Sequence, residues 1–221
     1  VYYKHKERRC CYEKEENLID YVKQMQSLGA DFMHMDVMDG NFVQNKCLNA
    51  TLVNNVNKNT VISLDVHLMV ENPKEHILNY INAGANIITI HYESYKNITD
   101  LLEDINTIRT TNHTLVGISL KPNTDIGVIS KILKLFDLVL IMSVEPGKSG
   151  QKFMDSVIPK IKALKQQIVE NNLNTLIEVD GGVNMDNAKQ IVDAGADILV
   201  MGNAIYNATN KKEVIDFVHS L

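Results

Sequence analysis

A short motif that occurs three times places the strongest constraint on the fold of this chain. Leu-Gly-Ala-Asp at 28–31, Ala-Gly-Ala-Asn at 83–86 and Ala-Gly-Ala-Asp at 194–197 each follow an amphipathic segment and precede an apolar, β-branched run. Glycine at that point is typical of a helix C-terminus, where the chain takes a left-handed conformation before it turns into the next strand. The repeat therefore predicts recurring helix–turn–strand units.

Seven apolar runs are predicted to be strands, and segments with helical periodicity lie between them. The runs are near 32–38, 61–68, 87–92, 115–120, 138–144, 175–180 and 197–201. Strands that alternate with helices imply parallel βαβ units, and an eighth strand at the N-terminus would close a (β/α)8 barrel, the TIM-barrel fold. We therefore predict an α/β protein with one TIM-barrel domain over residues 1–221.

The first sixteen residues fit this fold poorly. Residues 4–16 are rich in charge, whereas a buried barrel strand is normally a nearly continuous aliphatic run. Only Arg-Cys-Cys-Tyr at 9–12 could serve as the first strand. Two interpretations stay open: a short, irregular first strand, or an N-terminus that is truncated or altered.

Composition argues against several classes of protein. A formal net charge of −5 without a Lys/Arg-rich run disfavours nucleic-acid binding, and no apolar run approaches the roughly 18 residues of a membrane span. The three cysteines, Cys10, Cys11 and Cys47, have neither metal-binding spacing nor a disulfide pattern. We therefore expect a cytoplasmic protein without a signal peptide.

Three predicted strands carry ionisable side chains on one face and aliphatic side chains on the other, because alternate strand residues share a face. Ionisable groups on an otherwise apolar strand are costly to bury unless they are paired or bind a metal. The strands therefore predict a shared polar interior, which is typical of an active site. The sets are His34, Asp36 and Met38; Asp65, His67 and Met69; and Glu178 with Asp180.

Four of these side chains are predicted to meet at the open end of the barrel, where strand C-termini and the following loops form the site. Two imidazoles and two carboxylates suit one divalent ion such as Zn²⁺, Mn²⁺, Fe²⁺ or Co²⁺. A single core histidine is more often structural than a ligand, and it is the convergence of four groups that favours a site. The four are His34, Asp36, His67 and Asp180.

Asp36 and Asp180 come from non-adjacent strands, so they can lie on opposite sides of a bound substrate. That arrangement can remove a proton from one face of a carbon atom and return a proton to the other face. A metal ion beside them would stabilise the oxygen of an enediolate. The pair therefore indicates acid–base catalysis next to a carbonyl group.

Glycine-rich segments after three strands predict a phosphate site. Backbone after the last two strands of a TIM barrel, next to a helix N-terminus, commonly binds phosphate, and Asp-Gly-Gly at 180–182 and Met-Gly-Asn-Ala at 201–204 occupy those places. Residues 145–151 resemble a P-loop only in part, because Met142 stands where its first glycine is required. A mobile lid, with Lys148 adding charge, is the preferred interpretation, and an ordinary solvent loop is the alternative.

Further side chains are predicted to support the site. Met38, Met69 and Met142 each end a strand on its polar side. Methionine is usually core filler, but three of them around one opening would form an apolar wall that excludes water. His91 and Glu93 on the fourth strand and Ser119 on the fifth are expected to support that lining.

Four motifs resemble the signatures of the ribulose-phosphate 3-epimerase family, in the family's order and spacing from about residue 17 onward. They are His-Met-Asp-Val-Met-Asp-Gly at 34–40, Asp-Val-His-Leu-Met-Val at 65–70, Met-Ser-Val-Glu-Pro-Gly at 142–147 and Glu-Val-Asp-Gly-Gly-Val at 178–183. The resemblance implies a metal-dependent TIM barrel that interconverts D-ribulose 5-phosphate and D-xylulose 5-phosphate in the pentose phosphate pathway. It also implies a homo-oligomer, either a dimer or a hexamer.

The resemblance assigns roles to individual residues. It implies that His34, Asp36, His67 and Asp180 bind the metal, that the two aspartates transfer the protons, and that His67 also contacts the sugar. The phosphate-binding and substrate-binding positions that it implies are Gly147, Lys148, Ser149, Gly150, Gly181, Gly182, Gly202 and Asn203.

The chain departs from the family pattern at four places. The family's first strand supplies a serine to the substrate, whereas residues 8–12 contain none, and Gly-Lys-Ser-Gly at 147–150 replaces a Gly-Phe-Gly-Gly pattern. Gln44 occupies a position where the family usually has a proline, and Asn203 occupies a position where it usually has a serine. Two alternatives therefore stay open: an epimerase for another ketose phosphate, such as allulose 6-phosphate, and a non-catalytic barrel that binds sugar phosphate.

Overall fold

The computed structural model describes residues 2–4, 15–111, 113–148 and 150–221. Within them, eight parallel strands form a closed ring, and the first strand closes it by pairing with both the second and the last. The predicted TIM barrel is thereby confirmed. The strands of the ring are β1 (Tyr2–Lys4), β2 (Phe32–Asp39), β4 (Ser63–Met69), β5 (Ile87–His91), β6 (Leu115–Leu120), β7 (Leu138–Met142), β8 (Leu176–Asp180) and β9 (Ile198–Val200), and a short strand β3 (Lys46–Cys47) lies antiparallel to the end of β2.

Helices follow most of the strands and pack against the outside of the ring. The core lies between the two layers; the helix over residues 158–170, for example, buries Ile158, Ile161, Leu164 and Ile168. The connection from β6 to β7 consists instead of two 3-10 turns, Ile126–Val128 and Leu133–Leu135. The helices are α1 (Glu15–Leu28), α2 (Ala50–Asn59), α3 (Ile77–Asn82), α4 (Ile98–Arg109), α5 (Ile158–Glu170), α6 (Met185–Asp193), α7 (Gly202–Asn207) and α8 (Lys211–His219). In the part of the chain that the structure describes, none of these is long and apolar enough to span a bilayer.

The threefold repeat ends helices as predicted. Gly29, Gly84 and Gly195 have φ angles of 93°, 96° and 112° and follow α1, α3 and α6. Left-handed backbone at these points reverses the chain into β2, β5 and β9. The repeat thus fixes where three of the strands begin.

The first strand differs from the prediction. The candidate at residues 9–12 lies outside the described residues, and the ring is instead closed by Tyr2–Lys4, which runs in register with residues 32–34 of β2. Three residues are too few to give a pattern that sequence periodicity can detect. The assignment of residues 1–221 to one domain, with an irregular or altered segment over 1–16, stays a prediction.

Candidate active site

Strand register brings the four predicted ligands together inside one end of the barrel. In the β2–β4 pair, Asp36 lies opposite His67, and Asp180 ends β8 on the far side of β9 and β1. Each of the four side chains offers one ligand atom, and these atoms all lie within 4.8 Å of one another. All four residues are buried, so a ligand group forms from strands that are distant in sequence.

Asp36 is the centre of this group. Its Oδ1 atom lies 3.3 Å from Nε2 of His34 and 3.0 Å from Nδ1 of His67. One carboxylate oxygen therefore faces a nitrogen atom from each imidazole.

A deeper layer holds His34 in place. Its Nδ1 atom lies 2.5 Å from Oδ2 of Asp65 and 3.3 Å from Oε1 of Glu178. In the presence of a cation, Nδ1 would keep its proton and donate a hydrogen bond to Asp65, which would leave the lone pair of Nε2 for the cation. Strand alternation places Asp65 and Glu178 on the inward face, but sequence reasoning gave them no role, because their contact with His34 depends on the pairing of β2 with β4 and on the closure of the ring.

Burial and neighbouring charges shift the pKa values of His34 and Glu178. Burial lowers the pKa of His34, but the charge of Asp65 and hydrogen bonds with Asp36, Asp65 and Glu178 outweigh it and hold that pKa well above its usual value. Burial raises the pKa of Glu178, and the charge of Asp65 adds to the rise. The barrel interior therefore favours the protonated form of Glu178.

The charges of the barrel interior suit a bound cation. Four carboxyl groups are buried there, whereas no Lys or Arg among the described residues is buried. Buried carboxylates are costly unless a positive charge accompanies them, and a set of two imidazoles and two carboxylates is typical of sites for zinc, manganese, iron and cobalt. The group of His34, Asp36, His67 and Asp180 could therefore hold a divalent ion.

A second chain of contacts leads from His67 toward the surface. Nε2 of His67 lies 2.9 Å from Nε2 of His91, and Nδ1 of His91 lies 3.0 Å from Oε2 of Glu93. Oε1 of Glu93 accepts hydrogen bonds from the backbone N–H of Lys121, at 2.7 Å, and from the hydroxyl of Thr124. His91 is fully buried and Glu93 is 18% exposed.

The pKa values of His91 and Glu93 are both lowered. Burial lowers the pKa of His91 to about 4. Burial also acts to raise the pKa of Glu93, but its hydrogen bonds with His91, Thr124 and Lys121 outweigh that effect and lower the pKa to about 2. A neutral imidazole thus contacts an ionised carboxylate.

Of the predicted supporting residues, the three methionines, His91 and Ser119 lie on strands of the ring, whereas Glu93 lies in the 3-10 turn Tyr92–Ser94 after β5. Met38, Met69 and Met142 are buried; Met38 pairs with Met69, and Met142 pairs with Asp180 in the strand register. The buried Ser119 lies opposite His91, and its hydroxyl has no hydrogen-bond partner among the described residues. The role of the methionines as an apolar wall stays a prediction.

A cavity of about 670 Å³ opens between the segments that follow β7, β8 and β9. Of the predicted phosphate-binding residues, Gly150, Gly182 and Asn203 line it. Ser149 lies outside the described residues. Of the remaining predicted positions, Gly147, Lys148 and Gly181 lie in the same loops and Gly202 begins α7, but none of the four lines this cavity.

Gly147 packs against another loop instead. A Cβ atom on Gly147 would lie 2.5 Å from Cβ of Val43, and its carbonyl accepts a 2.6 Å hydrogen bond from the side chain of Asn45. Residues 40–45 also place the Phe42 ring 4.7 Å from the His91 ring. The loops after β2 and β7 thus meet across the opening of the barrel, while the mobility of the predicted lid stays a prediction.

The chain is similar in sequence to one family over most of its length. A family model described as the ribulose-phosphate 3 epimerase family matches residues 13–206. A ribulose-phosphate 3-epimerase of Bacillus subtilis is 40% identical over 195 residues, which cover 88% of each chain. A chloroplastic ribulose-5-phosphate-3-epimerase of Arabidopsis thaliana is 39% identical over 196 residues, which cover 89% of this chain and 69% of the relative.

Solved structures of other enzymes share the fold. A 3-hexulose-6-phosphate synthase from Salmonella typhimurium matches with a TM-score of 0.68 at 14% identity, over 99% of this chain and 96% of that one. An N-(5'-phosphoribosyl)anthranilate isomerase from Pyrococcus furiosus matches with a TM-score of 0.63 at 14% identity, with the same coverage. At such identities the likeness concerns the barrel alone.

Proposed function

Because the chain belongs to the ribulose-phosphate 3-epimerase family, we propose that it inverts C3 of D-ribulose 5-phosphate to give D-xylulose 5-phosphate, by a metal-dependent transfer of protons between two aspartates. The observation that carries the proposal is the meeting of His34, Asp36, His67 and Asp180 within 4.8 Å at one end of the barrel. These four residues would hold the divalent ion. Bound there, the ion would stabilise negative charge on the substrate as C3 loses its proton.

Asp36 and Asp180 are the proposed acid and base. They come from β2 and β8, which are separated in the ring by β1 and β9, so their carboxyl groups approach a substrate from different sides. One carboxylate takes the C3 proton, and the electron pair of the broken C–H bond moves into an enediolate with the C2 carbonyl. The other carboxyl group then donates a proton to the opposite face of C3, which inverts the centre.

Met38, Met69 and Met142 would keep water away from that intermediate. Their buried, apolar side chains adjoin His67 and Asp180 along the strands. Exclusion of water strengthens the electrostatic interactions within the site and limits loss of the intermediate to side reactions. His67, which lies 3.0 Å from Asp36, is also proposed to contact the sugar.

The phosphate is proposed to bind in the 670 Å³ cavity. The backbone of Gly150 and Gly182 and the side chain of Asn203 border it, and small residues let backbone N–H groups approach phosphate oxygens closely. Gly182, which lines this cavity, is two residues after Asp180 in the chain. A phosphate held there would therefore direct the carbon chain of the sugar toward the aspartates.

Gly182→Ala should weaken substrate binding more than it slows the chemical step. Gly182 has a φ of +63°, and a Cβ atom there would lie 2.3 Å from the backbone nitrogen of Phe153. Strain of this kind costs on the order of 1–3 kcal/mol, so we expect KM for the sugar phosphate to rise about tenfold or more. Steady-state kinetics, together with the inhibition constant of inorganic phosphate, would measure the change.

Gly29→Ala is the matched control. Gly29 has the same left-handed backbone (φ +93°), but a Cβ atom there would meet no atom within 4 Å, and the residue follows α1 away from the cavity. This variant should lose stability and keep its KM. An unchanged KM and phosphate inhibition constant in Gly182→Ala, or an equal rise in Gly29→Ala, would contradict the proposed phosphate site.

The proposed reaction is tested by direct turnover. Purified protein, loaded with Zn²⁺ or Mn²⁺, is mixed with D-ribulose 5-phosphate, and the D-xylulose 5-phosphate formed is measured; allulose 6-phosphate is assayed in parallel. We expect faster turnover of the five-carbon substrate. Turnover of the six-carbon substrate alone would identify another ketose-phosphate epimerase, and tight metal binding without any turnover would indicate a non-catalytic barrel.

Two further expectations stay predictions. The homo-oligomer is tested by light scattering on the purified protein. A cytoplasmic location is not common to all relatives, since the similar protein of Arabidopsis thaliana is chloroplastic.

A further inference from the structure

Three side chains form a hydrogen-bonded chain that leads away from the ligand group, and the proposed reaction does not use two of them. His67 contacts His91 through a pair of Nε2 atoms 2.9 Å apart, and His91 contacts Glu93 through Nδ1 at 3.0 Å. A hydrogen bond between two imidazole nitrogens needs one nitrogen with a proton and one without. The donors in this chain must therefore all point the same way, and the group at one end determines which way.

Glu93 is the end that sets it. Its Oε1 atom already accepts from the backbone N–H of Lys121 and the hydroxyl of Thr124, so its Oε2 atom is left to face Nδ1 of His91. A carboxylate is only an acceptor, so Nδ1 of His91 must carry a proton.

The proton on His91 determines the state of His67. In a neutral imidazole, a proton on Nδ1 makes Nε2 an acceptor. With a cation bound, Nε2 of His67 would therefore donate to His91, and Nδ1 of His67 would offer its lone pair to the cation. Nδ1 lies 3.0 Å from Oδ1 of Asp36, inside the ligand group, and the cation would replace the proton that these two atoms otherwise share.

We propose that Glu93 and His91 are positioning residues that hold His67 in the one tautomer able to bind a metal ion through Nδ1. This inference rests on the proposed function, because it concerns the same metal. His34 is oriented by direct contact with Asp65, whereas His67 is oriented through an intervening imidazole. The inner nitrogen atoms of both histidines lie 3.0–3.3 Å from the same oxygen atom of Asp36, so the three side chains could bind one cation.

A purely structural role for these residues fits less well. His91 is fully buried between the His67 ring, at 4.9 Å, and the Phe42 ring, at 4.7 Å. An aromatic hydrocarbon would fill that space without the cost of burying polar nitrogen atoms. From Nε2 of His67 to Glu93, each contact pairs one donor with one acceptor, and such chains specify one arrangement of protons.

Glu93→Gln tests the inference because it should reverse the chain. The two donors at Oε1 would hold the amide oxygen in that position, so the amide NH₂ would face Nδ1 of His91. His91 would then have to accept at Nδ1 and donate from Nε2, and His67 would accept at Nε2 and carry its proton on Nδ1. The proton would occupy the position where the metal ligand is needed.

Two measurements report on this reversal. Histidine side-chain ¹⁵N NMR of the metal-free and Zn²⁺-loaded proteins should show His91 protonated at Nδ1 in the wild type and at Nε2 in Glu93→Gln. Competition with a chelator should show that the variant binds Zn²⁺ about 10–100-fold more weakly, as is typical when outer contacts of metal ligands are changed. Glu71→Gln is the matched control, since Glu71 is an exposed carboxylate just after the neighbouring strand β4, and it should change neither measurement.

His91→Phe gives an independent test. It removes the acceptor for His67 without imposing the wrong tautomer, so its loss of Zn²⁺ affinity should be smaller than that of Glu93→Gln. Circular dichroism of both variants would check that they are folded. The inference is overturned if Glu93→Gln leaves the His91 tautomer unchanged, or if it binds Zn²⁺ as tightly as the wild type. A wild-type protein that binds no metal would instead overturn the proposed function.

Discussion

Replacement of either Asp36 or Asp180 by asparagine should stop interconversion of the two ketose phosphates, and each variant should still exchange the C3 proton of one of them with solvent. Epimerisation needs both carboxyl groups, one on each face of C3. Exchange needs only the carboxylate that faces the C3–H bond, because a proton can be removed and a solvent deuteron returned to the same face. The two variants should therefore exchange opposite epimers.

The expected loss of epimerisation is about 10²–10⁴-fold for each variant, the usual contribution of a positioned acid or base. The assay incubates each sugar phosphate separately in D₂O and follows loss of the C3 proton and formation of the other epimer by ¹H NMR. Metal content is measured in each variant, because both aspartates belong to the ligand group. Asp20→Asn, at an exposed position on α1, is the control and should behave as the wild type.

Two results would contradict the assignment. A variant that still interconverts the epimers at the wild-type rate would show that its aspartate is neither acid nor base. Exchange of the same epimer by both metal-loaded variants would show that the aspartates do not act on opposite faces of C3.

Much of this site was predictable from sequence because a strand has a fixed side-chain period. Alternation in β2 and β4 places His34, Asp36 and His67 on one face, and this does not depend on the rest of the chain. The glycine repeat marks the start of β2, β5 and β9, so it also fixes which ends of the strands meet. Local rules were sufficient for seven of the eight strands of the ring and for the convergence of the four side chains, but not for the first strand.

The contacts around the ligand group depend on register between strands, which a single sequence does not specify. Asp65 orients His34 because the β2–β4 register sets them opposite each other, and Glu178 reaches them only because the ring is closed. The direction of the chain from His67 to Glu93 likewise depends on donors from Lys121 and Thr124, which lie beyond β6. Sequence patterns placed Asp65, Glu178, His91 and Glu93 near the site but did not give these contacts.

Loop conformation was the least predictable part. Gly147, Gly150 and Gly182 look alike in sequence, and all three have positive φ angles. Gly150 and Gly182 line the cavity, whereas Gly147 lets the loop after β7 pack against Val43. The role of each glycine depends on which atoms pack against its backbone, and this is determined by the tertiary structure.

Removal of divalent ions is expected to abolish turnover and to lower the thermal stability of the protein together. Four carboxyl groups are buried in the barrel, and no Lys or Arg among the described residues is buried to balance them. A bound ion present at about 100 times its Kd would stabilise the folded state by about 2.7 kcal/mol. For a chain of this size that corresponds to a rise in Tm of roughly 5–10 °C.

The experiment compares protein treated with a chelator and dialysed with the same protein after an ion is returned. Zn²⁺, Mn²⁺ or Co²⁺ should restore both turnover and Tm, whereas Ca²⁺, which prefers oxygen ligands, should restore neither. His67→Gln should have a Tm that no longer responds to the chelator, because it lacks one ligand nitrogen. His76→Gln, which changes a half-buried histidine outside the ligand group, should respond as the wild type does. Full turnover by protein shown to contain no bound ion would contradict the metal dependence, and the buried carboxylates would then have to be balanced by protons on the histidines.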